Sequence, residues 1–573
     1  MEKKIYFISK NSDLSNIKNL DEVIFTFDYK THKILKDLKI EHIIAEDFLD
    51  YNERSIVFEQ VKKYGRWYED PSLEKFELEG YNLFSLLDGT EFHTLLMERL
   101  ILFMTIKKIL EQNKPTKIIC PYEMKKIIEC LDTDNKIKLE YNSNKGNKKL
   151  FWDSINVKHN IGGKPISIKI SRKKYNKLKN LLDKSVGLTF GLWFNFKNKD
   201  KKTILLLEMY PPTYKNLIKH LKNEDYNIII INRRRPVTLE KESINILKNS
   251  NCKMISEKDL FEKSDMDEIL ENSHKFSKRI NEIWEHDEGF HKIFVIDNIV
   301  FWTIIKDELK DAFQRRIEEY VKLIFFTKRI FEKINVTRIL SLYESGETEK
   351  AFLKNKNDKI ETFLLEHGFT LLFNDSKKYG MLGSYDNFTD KIVVWSKIQK
   401  EFLISNYKIE QQKILPIGSP RHDDLIQREQ SKKKNEKISV LIAPTPITQL
   451  QGCDITKIHE RFEYVIKNLS KQLENENVDI IFKIHPSQSE QNNEIIEMIQ
   501  KYNKKPRIYL LNPVADFIES SDLIVTITPE GWAPSTIMLE SMILGKPALN
   551  IILDEKIYDF EYIKMNAAIV SSF

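Results

Sequence analysis

Four apolar runs in the sequence end in residues that can handle a proton or a phosphate. TFLLEHG ends in Glu366-His367-Gly368, and ILPIGSPRHDD ends in Gly418-Ser419 with Arg421 just beyond. IIFKIHPSQ carries Lys483, His485 and Pro486, and LIVTITPEGWAPST carries Thr528, Glu530, Ser535 and Thr536. A carboxylate or imidazole can take the proton of an attacking hydroxyl. An arginine, an imidazole or the free N–H groups at a helix start can stabilise a departing phosphate. Together these residue types suit group transfer from a phosphate-activated donor to an alcohol. Each also has a plain structural alternative. His485 before Pro486 can be a satisfied histidine at a strand end, and Ser535-Thr536 is first of all a helix N-cap. A Glu-His pair ending an apolar strand is the hardest to bury without a task.

The elements that must position these residues alternate in the α/β manner. Lys4 to Ile8 and Glu22 to Phe27 read as strands, THKILKDL as a helix and EHIIAEDF as a further strand. A long helical pattern covers Phe92 to Gln112, and the stretch from about Leu131 to Pro165 is a Lys-, Asn- and Asp-rich excursion. KTILLLEMYPP, TYKNLIKHL and YNIIIINRRRP make a β-α-β unit, with the Arg233-Arg234-Arg235 turn read as a solvated basic segment. Mostly helical sequence from Glu257 to Lys333 precedes four strand candidates that end at KILPIG. After SKKKNEK the alternation restarts at KISVLIAPT and ends with PALNII. Alternation of this kind calls for parallel sheets covered on both faces, with ligands beyond the carboxyl ends of the strands. The expected division is an N-terminal α/β segment (1–150), an acceptor-side Rossmann-like domain with a helical insertion (151–430), and a nucleotide-donor-binding Rossmann-like domain (431–573).

Composition narrows the function classes. Lys+Arg 91 against Asp+Glu 85 gives a net charge of +6 over 573 residues, too weak to announce a nucleic-acid binder. The four cysteines lie far apart without CxxC spacing, which argues against a zinc site or a disulfide framework. No P-loop, GxGxxG, GxSxG or HExxH pattern occurs, and Asp423-Asp424 lacks the spacing of a DxD metal motif. No metal or other cofactor is expected. With no signal peptide or spanning segment legible, a cytoplasmic setting follows, with the inner face of the membrane open through basic amphipathic helices such as Arg315 to Lys333.

The order GSPRHD, KIHP, TPEGWAPSTIMLESMILGKP resembles the motif series of GT-B glycosyltransferases of surface-polysaccharide synthesis. That group includes the Kdo-, sialyl- and polysialyltransferases and the related teichoic-acid glycerophosphotransferases. The resemblance spans roughly Thr337 to Leu553 and implies two Rossmann-like domains facing a cleft. It implies a base at Glu366 or His367. Donor contacts fall at Lys483, His485, Pro486, Ser535 and Thr536, with Gly418, Ser419, Arg421 and Thr528 on the cleft rim. Glu530 or Glu540 would hold ribose or base hydroxyls. The implied donor is a nucleotide-activated sugar, CMP-linked sialic acid or Kdo foremost, with CDP or UDP donors as alternatives, and the acceptor a surface glycan or glycolipid. A non-hydrolysing UDP-sugar 2-epimerase and a catalytically idle glycan-binding module are the competing readings.

Overall fold

The computed structural model describes residues 3–15, 17, 22–144, 150–161, 164–222, 225–366, 388–428, 437–447, 455–474, 476–486, 491–503, 506–529, 535–554 and 568–572. The first sheet contains β1 (Lys4–Ile8), β2 (Val23–Thr26) and β3 (Ile43–Ile44). After a small hairpin of β4 (Glu77–Leu78) and β5 (Tyr81–Asn82) it is completed by β6 (Lys117–Cys120) and β7 (Lys138–Tyr141). Its order is β3-β2-β1-β6-β7, all parallel. An antiparallel hairpin of β8 (Ser154–Ile161) and β9 (Lys164–Ser171) leads into the helix Arg172–Phe190.

The second sheet begins with β10 (Lys202–Leu207), β11 (Tyr226–Ile231) and β12 (Cys252–Met254). Helices at Lys263–Glu285 and Trp302–Lys333 flank a two-stranded hairpin of β13 (Val295–Ile296) and β14 (Ile299–Val300). Then β15 (Val336–Ser341), β16 (Glu361–Leu365), β17 (Lys391–Val394) and β18 (Ile414–Pro416) complete the order β12-β11-β10-β15-β16-β17-β18. The third sheet holds β19 (Ile438–Pro444), β20 (Val478–Lys483), β21 (Arg507–Tyr509), β22 (Leu523–Pro529), β23 (Ala548–Leu553) and β24 (Ile569–Ser572). Its order is β21-β20-β19-β22-β23-β24. Each large sheet therefore reverses its strand order beside its first strand, which is the doubly wound pattern.

The strands form because runs such as Leu205-Leu206-Leu207 and Leu441-Ile442 are buried on both faces. The helices begin where a side chain can accept the orphan N–H groups: Asp28 caps Tyr29–Asp37, Asp88 caps Gly89–Asn113, and Asp50 with Glu53 closes a capping box. One hydrophobic core joins the first sheet to the second, from Phe7 and Phe25 through Trp284, Trp302 and Phe313 to Leu205 and Ile339. Arg316 is buried inside this joint, donating to Glu91 at 2.6 and 2.8 Å and to Asp153 at 2.9 and 3.0 Å. The first sheet also reaches the third. Tyr29 donates to Glu463 at 2.7 Å, His32 lies 3.0 Å from Glu460, and the Thr456 N–H donates to Glu46 at 2.8 Å.

Three expectations need correction. EHIIAEDF contributes only Ile43–Ile44 to a sheet, because Ala45–Phe48 winds into a 3-10 turn whose Glu46 and Asp47 bond to the third-sheet unit. The Lys- and Asn-rich excursion overlaps the β8–β9 hairpin, whose strands carry no long apolar run. The basic helix around Arg315 to Lys333 is no membrane face: Ile317, Tyr320, Val321 and Ile324 are buried in the shared core.

Candidate active site between the two larger sheets

In a doubly wound sheet the loops diverge where the strand order reverses, leaving a crevice beyond the strand ends. In the second sheet that point lies between β10 and β15. Glu208, the residue after β10, adopts a left-handed φ of 52° and is buried. Its carboxylate accepts the N–H groups of Arg233 at 2.8 Å and Arg234 at 3.2 Å, and the Thr348 hydroxyl at 2.7 Å. Arg234 pairs with the fully buried Glu349 and lies 5.5 Å over the Tyr343 ring. Burial pushes the Glu349 carboxyl up, against the pull of Arg234. The half-buried Arg233 and Arg234 of the basic turn after β11 are thus tied into the mouth of the sheet, while Arg235 stays exposed as the sequence suggested. The sequence signal was there in LYESGETE after β15, which sets Glu347 and Glu349 against RRR, but neither segment carries a known motif.

Glu366 follows β16 directly and is buried; its N–H donates to the Val393 carbonyl at 3.0 Å and its own carbonyl accepts the Trp395 indole at 2.9 Å. Nearby, Tyr214 is buried where the fields of Arg421, Tyr343, Glu366 and Arg235 converge, and burial pushes its hydroxyl up to about 12. Tyr214, at a helix start with no strand-end signal and packed into the core of the second sheet, was not singled out from the sequence. His367 and Glu530 lie outside the described residues.

The segment after β18 crosses between the two units. Gly418 has φ +116°, a conformation that favours glycine, and a Cβ there would meet nothing within 4 Å. Ser419 Oγ lies 2.7 Å from His422 Nδ1, and Trp395 packs edge-on against the buried His422. Arg421 and His422 reach Glu540 of the helix Thr536–Ile543, at 3.4 and 3.6 Å. Asp424 turns the other way and accepts from Asn216 at 2.8 Å. Leu425 enters the third-sheet core beside Leu441, Ile481 and Ile524.

On the third sheet, Lys483 is buried and donates to the carbonyls of Ile484 at 3.1 Å and Leu510 at 2.8 Å, which pins the loop that follows β20. Burial pushes its pKa down to about 8. His485 is exposed to solvent at the end of the loop that follows β20. The surrounding protein disfavours its charged form, the cations of Lys483 and Arg421 act the same way, and its pKa is pushed down to about 4. At neutral pH it offers a neutral imidazole. Thr528 is buried and donates to Asn550 at 2.8 Å, so its hydroxyl serves the sheet. Ser535 caps its helix through the Ile537 N–H at 3.4 Å. Pro486 is exposed and lines a cavity of about 1440 Å³ together with Arg172, Tyr175, Arg233, Arg234 and Tyr343. Arg421 thus acts electrostatically on both Tyr214 and His485, and Glu366 on Tyr214, while Lys483, Thr528 and Glu540 are buried and bonded within the protein. Among the described residues no group of three or more His, Cys, Asp or Glu is placed to hold a metal ion.

Comparison with known proteins adds a family. The model of the CDP-glycerol:poly(glycerophosphate) glycerophosphotransferases matches residues 252–561, more than half of the chain. No curated protein sequence matches. Similar solved structures include a glycosyltransferase from Rickettsia africae, at 18% identity over 61% of this chain and 79% of that one, TM-score 0.32. A UDP-GlcNAc 2-epimerase from Neisseria meningitidis is 13% identical over 64% and 86%, TM-score 0.34. The wall teichoic acid polymerase TagF is 13% identical over 69% and 81%, TM-score 0.33.

Proposed function

The chain belongs to the CDP-glycerol:poly(glycerophosphate) glycerophosphotransferase family, and from that premise we propose that it moves a cytidine-nucleotide-activated group, a sugar or a glycerophosphate, onto a hydroxyl of a surface glycan. The observation that supports this reading is that Arg421, on the segment leaving the second sheet, acts electrostatically on His485 of the third, while Glu366 and Arg421 both act on Tyr214. In the reaction the acceptor oxygen forms a bond to the sugar carbon or the glycerophosphate phosphorus. The bond to the nucleotide phosphate breaks and the electron pair leaves with the phosphate. Glu366, or His367 beside it, takes the hydroxyl proton. Arg421 supplies fixed positive charge to the leaving phosphate, and His485 an N–H donor that costs no proton uptake at neutral pH. Gly418 and Ser419 let the chain approach the ligand closely, and the helix start at Ser535-Thr536 adds free N–H groups.

A thermal-shift screen with CMP, CDP and UDP tests this. The expected result is a concentration-dependent rise in Tm with a cytidine nucleotide, reduced in Arg421→Ala, followed by donor hydrolysis with the nucleotide that binds. Absence of a shift with all three would sink the transferase reading in favour of an idle binding module. Interconversion of a free UDP-sugar without acceptor would make the protein an epimerase.

A further inference from the structure

Three titratable side chains stand in a row where the helix Tyr29–Asp37 of the first sheet touches the helix Ile455–Glu474 of the third. His32 is buried, with Nδ1 2.9 Å from His42 Nε2 and Nε2 3.0 Å from Glu460 Oε1. At the far end His42 Nδ1 lies 2.7 Å from the Ile40 carbonyl oxygen. A carbonyl and a carboxylate can only accept, so both ends of the row demand a donor. The three hydrogen bonds therefore need three protons on two imidazoles, which carry only two when both are neutral. The row is complete when the pair holds one extra proton, and at no other count.

The neighbouring charges decide which groups titrate. Lys36, on the same helix as His32, donates to Glu460 Oε1 at 2.6 Å. Beside them Tyr29 and Lys33 face Glu463, which Lys501 and Tyr502 also reach. His459 stacks on Tyr29, with its Nε2 3.1 Å from Glu494. Past His42, Glu46 accepts the Thr456 N–H and Asp47 pairs with Lys457. Burial works to raise the Glu460 carboxyl, but the bonds from Lys36 and His32 hold it below its ordinary value. Against burial again, Lys501, Tyr29 and Tyr502 hold Glu463 at about 2. Both carboxylates thus stay ionised well below neutral pH. Burial pushes the His42 imidazole down, and the charges of His32 and Lys36 act the same way, which disfavours a second proton on the pair.

We propose that His32 and His42 share a single proton that locks the first-sheet unit to the third, so that this contact is tight around neutral pH and loosens on either side. When pH falls, the second imidazole becomes charged. His42 Nε2 and His32 Nδ1 then both carry hydrogen, and the bond between them turns into a repulsion. When pH rises, the extra proton leaves and one of the three acceptors goes unmet, which is costly in a buried row. The window brackets the ordinary imidazole value of about 6.5, because Glu460 favours the first proton and that proton disfavours the second. The third-sheet unit carries His485, so on the transferase reading the donor side of the cleft is held most firmly in this window. That consequence rests on the transferase reading; the shared proton does not.

Hydrogen–deuterium exchange of the full chain between about pH 5 and pH 9, corrected for the intrinsic exchange rate, tests the proposal at the amides of Tyr29–Asp37. Protection should peak near neutral pH and fall about fivefold for each hydrogen bond broken on either side. His42→Gln puts an amide where the imidazole was. The amide can donate to the Ile40 carbonyl and accept from His32, and it does not titrate. This variant should keep the protection at neutral pH and lose the acid decline. His32→Phe should lower protection across the whole range, with the strand Lys4–Ile8 as protected as in the wild type. Should His32→Phe disturb that strand, the comparison of wild type with His42→Gln decides alone. A wild-type profile without a maximum would overturn the proposal. So would an acid decline that survives in His42→Gln, because the titrating group would then be His459 or another side chain.

Discussion

The mouths of the second and third sheets meet at one cleft with opposite electrostatic habits. At the second sheet charges are many and bound to one another: Glu208 by the Arg233 and Arg234 N–H groups, Arg234 by Glu349, Arg172 by Glu347. At the third sheet the described basic groups are weakened, Lys483 by burial and the exposed His485 by the protein around it and by neighbouring cations. The Thr528 hydroxyl is committed to Asn550. Fixed positive charge close to His485 therefore comes from Arg421, which belongs to the segment leaving the second sheet. On the proposed reading, a phosphate site composed this way would be complete only where the two units touch.

The largest expected effect breaks the comparison on the second-sheet side. Glu366→Gln should lower turnover about 10²–10⁴-fold while the Tm rise with a cytidine nucleotide persists; parallel loss of both would make the buried carboxylate structural. Next, Arg234→Ala leaves the buried Glu349 and Glu208 without their cation. Urea unfolding should register a loss of about 3 kcal/mol, with a smaller one for Glu349→Gln, because burial already favours the neutral carboxyl there. The smallest effect sharpens the third-sheet side. His485 titrates near its ordinary 6.5 when unfolded and at about 4 when folded. The unfolded state binds the extra proton, so stability should decline as pH falls from 6.5 toward 4. His485→Ala should lack that component and bind nucleotide about tenfold more weakly. A bound phosphate raises the His485 pKa, so nucleotide affinity in the wild type should increase through the same window. A flat affinity profile by calorimetry would detach His485 from the donor site.

The strands of the third sheet were legible because they are buried on both faces and read as unbroken apolar runs ending in polar residues. The strand ends at Glu366, Arg421 and His485 could be placed for the same reason. What escaped was set by tertiary partners. Arg234 looked like a solvated turn because Glu349 lies 115 residues away. Thr528 looked like a ligand contact, although strand parity puts it on the same face as Thr526, where both hydroxyls meet Asn550. Glu540 looked free on its helix, and is instead covered by Arg421 and His422.

Among the described residues the third-sheet unit is fastened at two separate places: by the segment from Ser419 to Arg428, and by the Tyr29, His32 and Glu46 contacts to the helix beginning at Ile455. A body pinned at two points keeps one axis of rotation, the line that joins them. Unless one fastening lets go, the unit can only rock about that axis like a door on two hinges. Swivelling and sliding would each have to tear an attachment, which leaves a single coordinate along which the cleft can widen and narrow.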